Sequence, residues 1–301
     1  MTEPTRQSSF RSGFITIAGA PNVGKSTLLN RILGEKISIT SKKPQTTRNR
    51  ILGILHRPGS QMIFFDTPGI HKATKEINVR IVDTAISVLG GADLILAVVD
   101  VSRPDPSSED ILIKNIRAQR RPSILALNKI DLVAKPFLLK LIDTWSDRHP
   151  FAAMVPVSAK HGTQVDQLLS EMTAALPEGP PYFPEDALTD LPERFLAAEM
   201  IREKVFRLTG QEIPYATAVT VESFTEPSGS GPIRIHATIH VERRSQKGML
   251  IGKGGNKLKQ IGEASRKEIE RLVGRKVFLK LFVRVQKNWS KDTKALRRFG
   301  Y

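Results

Sequence analysis

Apolar residues fall into two rhythms along this chain. The run Gly13-Phe14-Ile15-Thr16-Ile17-Ala18 is mostly apolar and β-branched and predicts a buried strand. After Gly24 the rhythm turns helical, with Leu28, Leu29, Ile32 and Leu33 recurring at three- and four-residue spacing. Short apolar runs return at Met62-Ile63-Phe64-Phe65, from Asp93 to Val99, at Ile124-Leu125-Ala126-Leu127, and around Met154, Val155 and Val157. Brief buried strands alternating with helices predict an α/β domain around a mostly parallel sheet. Pro177, Pro180, Pro181, Pro184 and Pro192 then crowd a stretch of 16 residues, which predicts an extended linker. Beyond it the pattern restarts. A helix from Arg194 keeps Phe195, Leu196, Met200, Val205, Phe206 and Leu208 on one face, followed by strand-like runs Ala216 to Phe224 and Ile233 to Val241. Met249-Leu250-Ile251 precedes a glycine-rich turn, a helix through Leu258, Ile261, Ala264, Ile269 and Leu272, and a last alternating strand from Val277 to Val285.

Candidate chemistry stands at the ends of the early strands. Gly19-Ala20-Pro21-Asn22-Val23-Gly24-Lys25-Ser26, with Thr27 next, lies at a strand-to-helix junction, the context a phosphate-binding loop requires. The glycines let backbone N–H groups curl round phosphates at the positive end of the following helix. Lys25 is expected to reach the β- and γ-phosphates and the Ser26 hydroxyl to ligate Mg²⁺. Asp66-Thr67-Pro68-Gly69, followed by Ile70, ends the next apolar run, placing Asp66 near the metal and the Gly69 amide near the γ-phosphate. Asn128-Lys129-Ile130-Asp131 follows another strand. A carboxylate such as Asp131 only accepts hydrogen bonds, and guanine offers it two donors that adenine lacks. Asn128 is expected at the other edge of the base, the Lys129 stem over its face, and Ser158-Ala159-Lys160 to offer a backbone N–H to guanine O6. Ser41 to Arg50 is polar, basic and aperiodic, hence a loop. Thr47, with Thr46 as the alternative, is the hydroxyl expected to join Mg²⁺ when triphosphate is bound. Lys25, Thr47 and Gly69 are the expected catalytic residues.

The motifs "GAPNVGKS" (Gly19 to Ser26), "QTTRNR" (Gln45 to Arg50), "DTPG" (Asp66 to Gly69) and "FPEDALTD" (Phe183 to Asp190) resemble those of the bacterial Era family. That family belongs to the TrmE-Era-EngA group of translation-factor-like GTPases, and the resemblance runs over nearly the whole chain. It implies GTP hydrolysis to GDP, binding near the 3′ end of 16S ribosomal RNA, and assistance to maturation of the small ribosomal subunit. Ile70 occupies the position where Ras-type switches carry a water-orienting glutamine, so unaided hydrolysis is expected to be weak. In related GTPases an asparagine at the Asn22 position helps hold K⁺, which extends to this chain as an expectation.

Charge changes the picture of the second half. From His240 to Tyr301 there are 18 Lys and Arg against 5 Asp and Glu, a net of +13, so the first 239 residues supply only +3 of the chain's +16. A domain this basic is expected to meet a polyanion. Helix, two strands, Ile251-Gly252-Lys253-Gly254-Gly255 between helical turns, helix and strand is the element order of a bacterial-type KH domain, an α+β fold. Its Gly-x-x-Gly loop clamps about four nucleotides of single-stranded RNA, and Lys247, Lys253, Lys257 and Lys259 flank it. Phe278 and Phe282 alternate in a strand and are expected in the core rather than against bases. Peripheral contact with anionic membrane is the competing use of such a surface. The expected division is a disordered tail at 1–12, a nucleotide domain at 13–177, a linker at 178–193 and an RNA-binding domain at 194–301, in a monomer.

The chain has no cysteine, which excludes disulfides and thiolate metal sites. Its longest apolar run is far too short to span a bilayer. The polar first twelve residues argue for the cytoplasm, which makes Asn288-Trp289-Ser290 a chance glycosylation pattern.

Overall fold

The computed structural model describes residues 10–41, 43, 46–70, 86–210 and 212–299. The expected N-terminal tail lies outside these up to residue 9, and Arg11 and Ser12 already belong to the first strand. The described chain divides into two units, one of residues 10–37, 50–70 and 86–190, the other drawn from 38–49 and 191–299.

The first unit is a six-stranded sheet in the order β2-β3-β1-β4-β5-β6. Its strands are β1 (Arg11–Ala18), β2 (Ile51–Arg57), β3 (Ser60–Asp66), β4 (Leu94–Asp100), β5 (Ser123–Asn128) and β6 (Ala153–Val157). Only the β2–β3 pairing is antiparallel. β3, β4 and β5 are buried along their whole length, which is why they read as continuous apolar runs. Helices α1 (Lys25–Leu33), α2 (Pro106–Gln119), α3 (Lys135–Arg148) and α4 (Val165–Ala175) surround the sheet. Leu112, Ile113 and Ile116 of α2 and Trp145 of α3 bury against β4 and β5 in one core. β1 lies between β3 and β4, so the loop leaving its carboxyl end opens at the point where strand order reverses, the usual ligand crevice of such sheets.

The proline-rich stretch does not hang free as a linker. It is bound along the first unit: Ser12 N–H donates to Pro177 O, Ile54 N–H to Leu188 O, and the Thr189 hydroxyl to Leu52 O. The Gln61 side chain also ties down Tyr182 and Phe183.

The second unit contains α5 (Glu193–Leu208), β7 (Ala218–Thr225), β8 (Ile233–Val241), α6 (Arg244–Ile251), α7 (Asn256–Val273), β9 (Val277–Val285) and α8 (Thr293–Arg298). Its sheet runs β7-β8-β9, antiparallel then parallel. Ile261 and Ile269 of α7 join Ala197, Met200, Ile201 and Val205 of α5 over the inward residues of β8 and β9. Gly274, at φ 65°, closes α7 in the left-handed turn that glycine adopts without penalty.

Helix α5 departs from its one-faced pattern. Glu199, Arg202, Glu203 and Lys204 are buried together with its apolar residues. The cause is the segment 38–49, which packs on the polar side of the helix as part of the same unit. Arg202, 1% exposed, is paired with Glu199 at 2.6 Å and donates to Thr46 O at 2.6 Å. Glu203, fully buried, accepts from the Thr40 amide and hydroxyl and pairs with Arg207. Lys43 donates to Phe206 O in the last turn of the helix and to Thr209 O just beyond it, and partial burial pulls its pKa below the ordinary lysine value. Arg48 completes the attachment by donating to Thr217 O, Pro214 O and Tyr215 O at 3.0, 3.2 and 3.0 Å.

Replacing Arg48 by alanine strands these buried acceptors and is expected to cost the second unit about 2–4 kcal/mol. Urea unfolding in a Trp145→Phe background, where emission comes from Trp289, buried in that unit, reads the loss. An unmoved midpoint would show that the segment contributes nothing to stability.

Candidate nucleotide and RNA sites

The phosphate loop joins β1 to α1. Gly24 stands just before the helix at φ 103°, and a β-carbon there would lie 2.3 Å from Asn128 Nδ2, so only glycine fits. Lys25 is buried and turns its ammonium back over the loop, donating to Gly19 O at 3.0 Å and Ala20 O at 2.9 Å. Burial lowers its pKa to about 8, against the raising influence of the Asp66 carboxylate. Ser26 Oγ donates to Asp66 Oδ2 at 2.6 Å, so the two expected metal ligands of this unit meet across β1 and β3. Thr67 Oγ1 donates to Ile17 O, and the Ile70 amide donates to Gly19 O. Ala20, Pro21, Asn22 and Val23 form the outer curve of the loop, and Asn22 adopts φ 64°.

One hydroxyl and one carboxylate beside a phosphate cradle fit Mg²⁺, which keeps water and takes nucleotide oxygens instead of an all-protein cage. Among the described residues no group of three His, Cys, Asp or Glu forms a metal site by itself. Thr47, the third expected ligand, belongs to the segment that packs in the second unit.

Asn128 is buried at the end of β5. Its Nδ2 donates to Val23 O at 2.7 Å while its Oδ1 accepts the Ala159 N–H at 3.0 Å. It thus braces the phosphate loop against the 158–160 loop, a task the sequence reading had not assigned. Of the backbone amides of Ser158-Ala159-Lys160, the segment expected to offer one to guanine O6, that of Ala159 is engaged in this brace. Lys129, at φ 68°, places its ammonium on Asn22 O at 2.8 Å and Asp100 Oδ2 at 2.5 Å. Asp131 Oδ1 accepts the Ser158 hydroxyl at 2.6 Å, and that bond leads in holding the carboxyl below its usual range. Ionised, Asp131 presents acceptors alone, as a pair of base donors requires. Ile130 follows Lys129 in a short 3₁₀ turn that leads to α3, and Lys160 O is fixed by Arg31 at 2.6 Å.

Asp100, Arg31 and His161, whose Nε2 lies 3.7 Å from Asp131 Oδ2, were not singled out from the sequence. Asp100 carried a signal: it ends β4 as Asp66 ends β3 and Asn128 ends β5, all at the carboxyl edge of the sheet.

In the second unit, the Gly-x-x-Gly loop joins α6 to α7. Gly252, Gly254 and Gly255 have φ of 71°, 61° and 80°. Lys253 and Gly254 are exposed, as is Lys259, while Ile251 and Lys257 are half-buried beside the turn. A β-carbon on Gly254 would meet no protein atom within 4 Å, so the space outside this glycine is open to a ligand.

A family model described as a 50S ribosome-binding GTPase matches residues 14–129, and a KH domain model matches 212–290. GTPase Era of Geobacter metallireducens is 55% identical over 292 residues, 97% of this chain and 98% of that protein. GTPase Era of Geobacter sp. strain M21 is 56% identical over 296 residues, 98% of this chain and 99% of that protein. A single-substitution variant of Aquifex aeolicus Era bound to GDP·AlF4⁻ superposes with a TM-score of 0.93 at 41% identity, covering 97% of this chain and 99% of that one. An Era complex with MgGDPNP and nucleotides 1506–1542 of 16S ribosomal RNA matches to the same extent. Two domain matches in one chain and identity above half across nearly the full length leave one assignment: the chain belongs to the Era family of GTPases.

Proposed function

We propose that this protein is a GTP-hydrolysing switch that binds the 3′ end of 16S ribosomal RNA and assists assembly of the small ribosomal subunit, as a cytoplasmic monomer. The observation that carries it is the joint presence of the braced nucleotide loops and the open Gly-x-x-Gly turn in a chain that matches Era from end to end.

The residues divide the work. Lys25 neutralises charge at the β- and γ-phosphates, and Ser26 and Asp66 would hold Mg²⁺, which would supply further neutralisation of phosphate charge. The Gly69 amide meets the γ-phosphate. Thr47 is the hydroxyl we assign to sensing it, on a segment whose movement must strain the bonds of Arg48 and Arg202. Asp131 selects guanine. Ile70 is fully buried and apolar, so it cannot orient water, and hydrolysis needs help from another group. K⁺ near Asn22 is part of the proposal. RNA enters at Ile251 to Gly255, with Lys253, Lys257 and Lys259 about its phosphates.

GTP turnover measured with and without RNA from the small-subunit 3′ end, in K⁺ and in Na⁺, tests the whole. Stimulation by RNA is expected; turnover indifferent to RNA in both salts refutes coupling of the two units. Asp131→Asn is expected to weaken GTP binding about a hundredfold or more while xanthosine triphosphate gains, because the new amide donates where guanine also donates. Unchanged selectivity in a competition assay would sink the base assignment. Gly254→Asp puts a negative charge where RNA phosphates approach. Asp tolerates the left-handed backbone there better than most residues, so RNA binding should be lost with GTP hydrolysis intact. For the unsubstituted protein, log affinity should fall with log salt by about 0.7 per phosphate, hence a slope near −3 for a four-nucleotide clamp. A flat response, or tighter binding to anionic vesicles at equal salt, would move the basic surface to lipid.

A further inference from the structure

Phe278 and Phe282 are not core residues: they are 55% and 44% exposed. In β9 the odd-numbered residues Val277, Leu279, Leu281, Val283 and Val285 turn to the core, so Phe278, Lys280, Phe282 and Arg284 turn outward. Parallel register sets Arg234 of β8 beside Phe278 and His236 beside Lys280. Arg234, Lys280 and Arg284 are exposed, and the Lys280 ammonium stands 5.2 Å from the centre of the Phe282 ring. The outward residues of β8 and β9 include no carboxylate. At one end α8 and its following turn cover the face, where Phe299 lies 4.6 Å from His240 and packs with Trp289 and Leu296. The Phe278 end carries no such cover among the described residues.

We propose that this open face is a second single-stranded RNA surface, on which bases stack on Phe278 and Phe282 while Arg234, Lys280 and Arg284 hold phosphates. The proposal rests on the RNA-binding reading above and extends it to the side of the sheet opposite the helices. Aromatic rings on a sheet take splayed bases in this way, without regard to sequence, between cations that follow the backbone. The two rings lie four residues apart, roughly 13 Å along the strand, which suits an extended strand and not a stacked helix. A membrane fits less well. Interfacial lipid binding separates an apolar face from a cationic one, whereas here rings and cations alternate along one row.

The experiment uses the full chain and unstructured RNAs of about four and about twelve nucleotides, with binding read by fluorescence anisotropy. Phe278→Ala/Phe282→Ala is expected to weaken the longer RNA by about tenfold or more and leave the shorter one unchanged. Zero-length cross-linking of 5-iodouridine RNA to the unsubstituted protein should label the β9 peptide, a readout that does not depend on a variant folding. Affinity of the double variant for the longer RNA equal to that of the unsubstituted protein, with no label on β9, overturns the proposal. So does loss of anionic-vesicle binding with RNA binding kept. Gly254→Asp, which should lose the short RNA, separates the two readings: if it does not, the loop assignment fails and the double variant still decides the sheet face.

Discussion

The side-chain amide of Asn128 holds the nucleotide site together. One end is fixed to the phosphate loop at Val23 and the other to the loop at Ala159, so two segments more than a hundred residues apart share a single planar group. A planar amide transmits orientation as well as distance. Gly24 must lack a β-carbon because that amide occupies the space. Lys129, next in sequence, adds a second tie to the same loop through Asn22 while its ammonium is anchored on Asp100. The result is a set of loops at one edge of the sheet that are tied to one another through side chains as well as through the backbone.

How legible each part was follows from what kind of constraint it obeys. Gly19 to Ser26, Asp66 to Gly69 and Asn128 to Asp131 could be placed at the carboxyl ends of β1, β3 and β5 because a short apolar run leads into each of them. Strands β3, β4 and β5 could be read because burial on both faces leaves uninterrupted apolar runs, whereas β2, half-buried toward its end, was not foreseen. The attachment of 38–49 to α5 could not. Arg202, Glu203 and Lys204 look in sequence like a solvated helix face, and an aperiodic polar loop carries no sign of where it packs. Only in three dimensions do Thr46 and Thr40 appear opposite them.

The last strand holds a different lesson. Alternation announces two faces but does not say which is inside. The composition did: odd positions from Val277 to Val285 are all aliphatic, while even positions mix phenylalanine with lysine and arginine. Weighing the company each phenylalanine keeps, and not its own hydrophobicity, would have turned it outward. Likewise, the proline-rich stretch suggested slack chain, yet proline's missing N–H does not prevent its neighbours from bonding, and Leu188 and Thr189 are bound to β2.

The placement of residues 38–49 bears on how the chain comes to be folded. Arg48 finds its acceptor at Thr217, 169 positions later, and Thr40 meets Glu203 after 163. During synthesis this segment leaves the ribosome long before its partners exist, flanked by α1 and β2, which already have theirs within the first unit. Once those neighbours fold, the segment is tethered at both ends. Docking then costs the ordering of one short loop instead of the closure of a span that long. Folding is thereby made directional: the late helix completes its polar side only on a template that the early strands have set in place.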